Sequence, residues 1–455
     1  MNIRTSFTLV GVVFTFSILH TIHGIAQHFE GVAQPKIALP QLDAQFTSYE
    51  VYRLGVKELS SFLQAQRDGS AMLTLSFGTH HWTLALSTSN LISSNYVRSV
   101  AKEGGRIERA SWSLGPIAWK GWMTSAEGRE VALTVTDEMV YGYISFGGEN
   151  WFIEPLWYFD SRVSRDLIVL YPQSAVRPSQ GTCAAMEVAK YRRSIIETPI
   201  NKPGSGQPEA LTNNCYEVEL AIASDWLMYQ KYGSVAAVES HNVGVMNNVA
   251  TNYDNEFADE IQFVIVEQFV SNCSTCDPWT SSTDPGLLLD DFTEWGPTGF
   301  VANHDLGQLW TDRDFDGSTV GLAWLGAVCS PFRYHVLQDF SSNADFLRVL
   351  TAHEIGHNFD AIHNDPACGC IMDPSVNNTN TWSSQSVNAI DSYVASLVSQ
   401  GGCLSPCATS TTPPVANFEG NPTYGCAPLT VDFTDLSTNN PTSWYWEFPG
   451  GTPSS

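Results

Sequence analysis

His353 and His357 stand four residues apart with a glutamate between them, in the run His353-Glu354-Ile355-Gly356-His357. On a helix that spacing stacks both imidazoles on one face. Neutral rings so placed can share one Zn2+, and Glu354 can reach a water beside it. His363 comes six residues after His357, too far to stay on the same face. It can join the pair only if the helix ends and the chain folds back. The reversal falls at Asp360, and such a turn asks for a left-handed backbone that Gly adopts freely and Asp less readily. Met372 follows in Cys370-Ile371-Met372-Asp373-Pro374. A lone histidine usually reads as a hydrogen-bonded core residue, but three of the chain's eleven crowd into this stretch. A structural zinc site closes its shell with four protein ligands, whereas this motif supplies three and leaves a position for chemistry. A metal-free binding protein would need a damaged set, and all four key residues are present.

These residues need a helix to carry them. Asn343 can cap one that runs through Phe346, Leu347, Leu350 and His353 to Phe359. Upstream, residues 218–223, 261–269 and 319–325 read as strands, and 225–232 and 235–253 as helices. Alternating strands and helices predict an α/β sheet domain over 213–407.

The flanks differ. Residues 27–180 lack cysteine and alternate polar with apolar residues in short runs (132–135, 141–145), which predicts a mostly β domain. Lys190-Tyr191-Arg192-Arg193 is a basic step before the Pro- and Gly-rich stretch 199–208, where a processing protease would cut. Residues 1–26 read as a signal peptide: Arg4 supplies a positive start, 7–19 an apolar run, and Gly24 and Ala26 small cleavage positions. That run is shorter than the about 20 residues a membrane span needs, and no later segment is long and apolar enough. Residues 408–414 are a Thr/Ser/Pro linker, and from 415 the pattern is β again, clean over 429–433. About 40 residues make a marginal β domain, so the sequence is expected to stop inside it.

Acidic side chains number 47 against 22 basic ones, a formal net charge of −25. Phosphate binding needs clustered Lys and Arg, so nucleic acid is excluded as a partner. The balance is compatible with an extracellular protein, with Ca2+ and with basic peptide substrates, and selects none.

The segment His353-Glu-Ile-Gly-His-Asn-Phe-Asp-Ala-Ile-His-Asn-Asp365 with Cys-Ile-Met resembles the reprolysin branch of metzincin zinc proteases, the ADAM and snake-venom metalloproteinase family. The likeness extends to Val218-Glu-Leu-Ala-Ile-Ala223, Met228-Tyr-Gln-Lys-Tyr-Gly233, His304-Asp305 and Phe315-Asp-Gly-Ser-Thr-Val-Gly-Leu-Ala323, then Cys329-Ser-Pro331. It implies an α/β (α+β) catalytic domain with a mixed twisted sheet and a zinc helix. It also implies zinc held by His353, His357 and His363, Glu354 as general base, and Met372 in a turn beneath the histidines. Gly321, Leu322 and Ala323 would then form the strand that pairs with substrate backbone. Asp360 departs from the family's usual glycine.

Residues 120–156 resemble the family's propeptide, and 415–455 resemble part of a PKD module, an immunoglobulin-like sandwich, through Trp444-Tyr-Trp-Glu-Phe448. Such a module implies binding to protein or glycan surfaces. The expected order is a signal peptide (1–26), propeptide (27–193), linker (194–212), protease domain (213–407), linker (408–414) and partial PKD-like sandwich (415–455). The expected product is a secreted or extracellular zymogen, the cell surface included, with protein or peptide substrates.

Of ten cysteines, Cys183 and Cys426 stand alone in their regions, leaving eight in the catalytic region, enough for four bridges. The family pattern pairs Cys329 with Cys403. Cys183, ahead of the dibasic site, suggests a thiol that holds the open metal position until the propeptide leaves. An incidental thiol is the alternative. Glu219 and Asp305 match a Ca2+ site of some relatives; solvated or paired carboxylates fit equally.

Overall fold

In the computed structural model the described residues are 26–35, 39–111, 113–115, 117–124, 128–179, 181–183, 215–257, 261–401, 403–407, 418–421 and 431–435. Residues 1–25 of the expected signal peptide, the dibasic step, both linkers and Trp444–Phe448 lie outside them.

Residues Ala26–Cys407 form one compact unit. Its first half supplies β1 (Gln27–Ala33), β2 (Glu50–Arg53), β3 (Ser70–Phe77), β4 (His80–Thr88), β5 (Ile92–Lys102), β6 (Arg106–Ser111), β7 (Ala118–Met123), β8 (Gly128–Thr136), β9 (Met139–Phe146), β10 (Glu149–Pro155) and β11 (Leu167–Pro172), with helices α1 (Pro40–Gln45) and α2 (Val56–Gln64). Strands β1-β2-β11-β10-β9-β8-β7-β4-β3 close into a barrel. Alternation explains it. On β8, Val131, Leu133 and Val135 point inward onto Trp82, Ile144 and Ile153, while Ala132 joins the core shared with the second half.

The second half contains β12 (Thr182–Cys183), β13 (Tyr216–Ser224), α3 (Trp226–Tyr232), α4 (Val235–Glu256), β14 (Ile261–Ser271), α5 (Pro285–Gly299), β15 (Leu306–Thr311), β16 (Thr319–Ala323), β17 (Tyr334–Gln338), α6 (Ala344–Asn358), α7 (Ser384–Gln400) and β18 (Ser405–Pro406). Its sheet runs β12-β16-β17-β15-β13-β14-β5-β6, and β18 pairs with β13. Strands β13, β14, β15 and β17 are mutually parallel where they pair, and β16 runs antiparallel to β17. The mixed α/β sheet expected for this region is present. Not legible beforehand was the hairpin β5–β6, which leaves the barrel and extends this sheet at β14, nor β12, which extends it at β16.

Helix α4 lies between the halves and α6 packs against it. Val245, Met246 and Val249 of α4 share one core with Leu347, Leu350 and Ile355 of α6 and with Tyr141 and Tyr143 of the barrel. Each such side chain contributes about 1.5–3 kcal/mol on burial, and every residue of α6 is buried. Among the described residues four disulfides join Cys215–Cys407, Cys273–Cys276, Cys329–Cys403 and Cys368–Cys370. Among the described residues no helix is long and apolar enough to cross a membrane. Separately, β19 (Phe418–Asn421) and β20 (Asp432–Asp435) pair antiparallel.

Candidate metal centre

Helix α6 begins where Asn343 accepts hydrogen bonds from the Asp345 and Phe346 amides (2.9 and 3.4 Å). The barrel holds this end too. Glu154 accepts from the Ala344 amide at 2.9 Å, and the Gln173 amide donates to the Asp345 carboxylate at 3.2 Å. At the far end Asp360 takes φ +69°, the left-handed conformation the reversal demands. The Ala361 amide then donates to the Gly356 carbonyl (3.0 Å), and the chain comes back with His363.

His353, His357, His363 and Cys183 each offer one ligand atom, and these four atoms lie within 4.8 Å of one another. The spacing is that of ligands around one small ion. Two nitrogens each about 2.0–2.1 Å from a tetrahedral zinc stand about 3.4 Å apart, and a nitrogen and a thiolate about 3.5 Å. The observed separations are 3.1 Å between His353 Nε2 and His363 Nε2, and 3.5 Å between His357 Nε2 and Cys183 Sγ. The orientation of two rings is fixed from behind. His353 Nδ1 donates to the Ile371 carbonyl (2.6 Å) and His357 Nδ1 to the Ala361 carbonyl (2.7 Å), so both Nε2 lone pairs face the cluster. Burial holds the rings neutral. It pushes His353 down to about 3 and His357 well below its ordinary value, and lowers His363. Metal binding requires neutral imidazole, so the donor set fits zinc.

Glu354 is fully buried, and the Cys183 thiol lies beside its carboxylate. Burial pushes it up to about 8, with the Cys183 thiol beside it pulling the other way. Gly321 of β16 makes room for it: a Cβ there would sit 2.3 Å from Glu354 Oε1 and 2.7 Å from Leu350 Cδ1. Beneath the helix Met372 is fully buried, and a Cβ on Gly356 would come 2.7 Å from its sulfur. The small residue of the HExGH run therefore seats the methionine turn.

Strand β12 brings the thiol in. It pairs parallel with β16, Thr182 opposite Thr319 and Cys183 opposite Gly321. On its other side the Cys183 amide donates to the Pro374 carbonyl and the Val376 amide to the Gly181 carbonyl, both at 2.9 Å. Gly321, Leu322 and Ala323 thus lie on a strand whose outer edge is occupied by the chain's own residues. The wall at Pro374–Val376, and Tyr171, Glu154 and Gln173 at the start of α6, were not anticipated. Only a charged residue in an otherwise apolar strand, Glu154, hinted at them.

Asp305 lies beside the backbone of Glu219. Asp305 Oδ2 accepts from the Glu219 amide at 2.9 Å, and its Oδ1 lies 3.9 Å from the sulfurs of both Cys329 and Cys403. Those sulfurs are bridged, so they offer no thiolate.

Comparison with known proteins agrees with this geometry. A family model described as Metallo-peptidase family M12, of the reprolysin type, matches residues 214–394. A protein of Cerberus rynchops called "Zinc metalloproteinase-disintegrin-like" is 26% identical over 235 residues, covering 50% of this chain. The match spans 37% of that relative's length. Residues 214–394 are thus similar to metallopeptidases of the M12 reprolysin type, and the histidine cluster lies within that stretch.

Proposed function

We propose that the chain is a secreted zinc-dependent endopeptidase made as a latent precursor. The observation that carries the reading is the convergence of three imidazoles and one thiol beside a buried carboxylate. His353, His357 and His363 hold the zinc, which when bound supplies a Lewis-acid centre that polarises a carbonyl and acidifies water. Substrate backbone adds to the edge of β16 at Gly321–Ala323, once β12 has left it. Glu354 takes a proton from the attacking water as its oxygen bonds to the scissile carbonyl carbon. It then passes that proton to the amide nitrogen as the C–N bond breaks.

Latency rests on Cys183, which sits where the fourth ligand belongs. Cleavage at Arg192–Arg193 would free the segment that carries it. Four disulfides support export, because such bonds persist outside the cytosol. A calcium ion at Glu219 and Asp305, and binding of protein or glycan surfaces by the region from 415, belong to the same proposal. The test is cleavage of casein and a quenched peptide by the processed protein, with and without a chelator. Glu354→Gln should bind zinc and lose cleavage; retained cleavage would sink the assignment.

A further inference from the structure

The metal cleft is one edge of the catalytic sheet. The opposite edge is β14, and in this chain it is occupied along most of its length. Strand β5 runs parallel to it, from Ile92 opposite Ile265 to Ala101 opposite Ser271. The Ile265 amide donates to the Leu91 carbonyl (2.7 Å) and the Asn272 amide to the Ala101 carbonyl (3.0 Å).

Side chains add to the ladder on both faces. Toward α4, the Tyr96 hydroxyl and Arg98 Nε both donate to Glu239 Oε1 at 2.7 Å, and Arg98 Nη2 pairs with the other oxygen. Glu239 is fully buried, and among the described residues Tyr96 and Arg98 of the hairpin hold its carboxylate. Toward the opposite face, Ser99 donates to Glu267 at 2.6 Å, while the other oxygen of Glu267 accepts from the Val301 and Ala302 amides (2.7 and 2.8 Å). Alternate residues of one added strand thus meet an acid on each side of the sheet.

We infer that β14, with Glu239 and Glu267, is a second peptide-binding site, distinct from the metal cleft, for an extended segment carrying an aromatic residue, an arginine two places on and then a hydroxyl residue. The hairpin 92–111 fills it in the precursor. This rests on the reading that the amino-terminal half is cut from the catalytic half. Once it leaves, β14 becomes an open edge of a largely apolar strand with a carboxylate behind it. Open edges of this kind add strands, and a bidentate arginine–carboxylate pair selects which. The ligand is an extended arginine-bearing stretch of a protein, bound parallel to β14.

The test uses the full chain, cut between 193 and 214 at an inserted protease site and carrying Arg98→Ala in its own hairpin to weaken the resident strand. A fluorescent peptide of residues 90–112 is added and its anisotropy followed, with hydrogen exchange at 265–271 as a second measurement. The native peptide should bind and slow exchange of those amides, and the same peptide with Arg98→Ala should bind about tenfold more weakly. A chelator should change neither result. Equal binding of the two peptides, no binding at all, or loss of binding with chelator would each overturn the proposal. Protein cleavage is not the readout, so failure of the peptidase assignment would appear separately, in the casein assay.

Discussion

The two edges of the catalytic sheet are closed by the same half of the chain in opposite ways. At β16 the closure is two residues long and depends on one thiol at the histidines. At β14 it is an eleven-residue strand with a buried charge pair and hydrogen bonds on both faces. A short contact ending in a metal ligand is specific and easily withdrawn, because little area leaves water and one bond carries the affinity. A long ladder is area-driven and slow to leave. The edge at which the proposed chemistry takes place carries the light closure, and the opposite edge carries the heavy one.

Mutations can break this contrast. Glu354→Gln, behind the β16 edge, should cut turnover of the processed enzyme by on the order of 10³-fold, the scale of a lost general base, with zinc content unchanged by metal analysis. Arg98→Ala, at the other edge, leaves the buried Glu239 without its cation; loss of one partner of such a pair costs about 3–5 kcal/mol. Arg98 keeps some exposure, so about 3 kcal/mol is expected in guanidinium unfolding of the uncut chain. If the β14 closure matters less than its length implies, the loss will fall under about 1 kcal/mol, the scale of an exposed pair. Gly321→Ala drives a methyl group into Glu354. It should lower kcat of the processed enzyme by roughly tenfold, the cost of slightly misplacing a catalytic group, with a smaller effect on KM.

The smallest effect concerns the barrel's grip on α6. Glu154 is pushed by burial from 4.5 up to about 8, although the Ala344 amide and the Tyr171 hydroxyl pull it down. Between those values the folded chain keeps a proton that the unfolded chain has released. Its contribution is therefore full below about pH 4.5 and is lost as pH rises toward 8. Glu154→Gln should flatten the fall in Tm across that window relative to wild type. An unchanged slope would show that this carboxyl does not titrate there.

The metal residues were legible because their signal is local: a helical spacing of four, a turn position at Asp360 and a methionine that follows. Strand alternation likewise announced the β character of 27–180. Closure of the barrel was not legible, since each strand's pattern is satisfied equally by an open sheet. Nor was the transfer of β5–β6, because Tyr96-Val97-Arg98-Ser99 reads as an ordinary half-exposed strand until Glu239 is brought beside it. Pairings between residues 141 or 168 positions apart leave no periodicity to detect. Cys183 lay between: its isolation suggested a role, but only the fold supplies its distance to His357.

Zinc K-edge X-ray absorption on the intact, uncut chain tests the central claim most directly. Three nitrogen scatterers at about 2.0–2.1 Å and one sulfur at about 2.3 Å are expected. Cys183→Ala should replace the sulfur with oxygen while one zinc per chain remains. A chain that binds no stoichiometric zinc, or an intact chain whose zinc shows no sulfur neighbour, would contradict it.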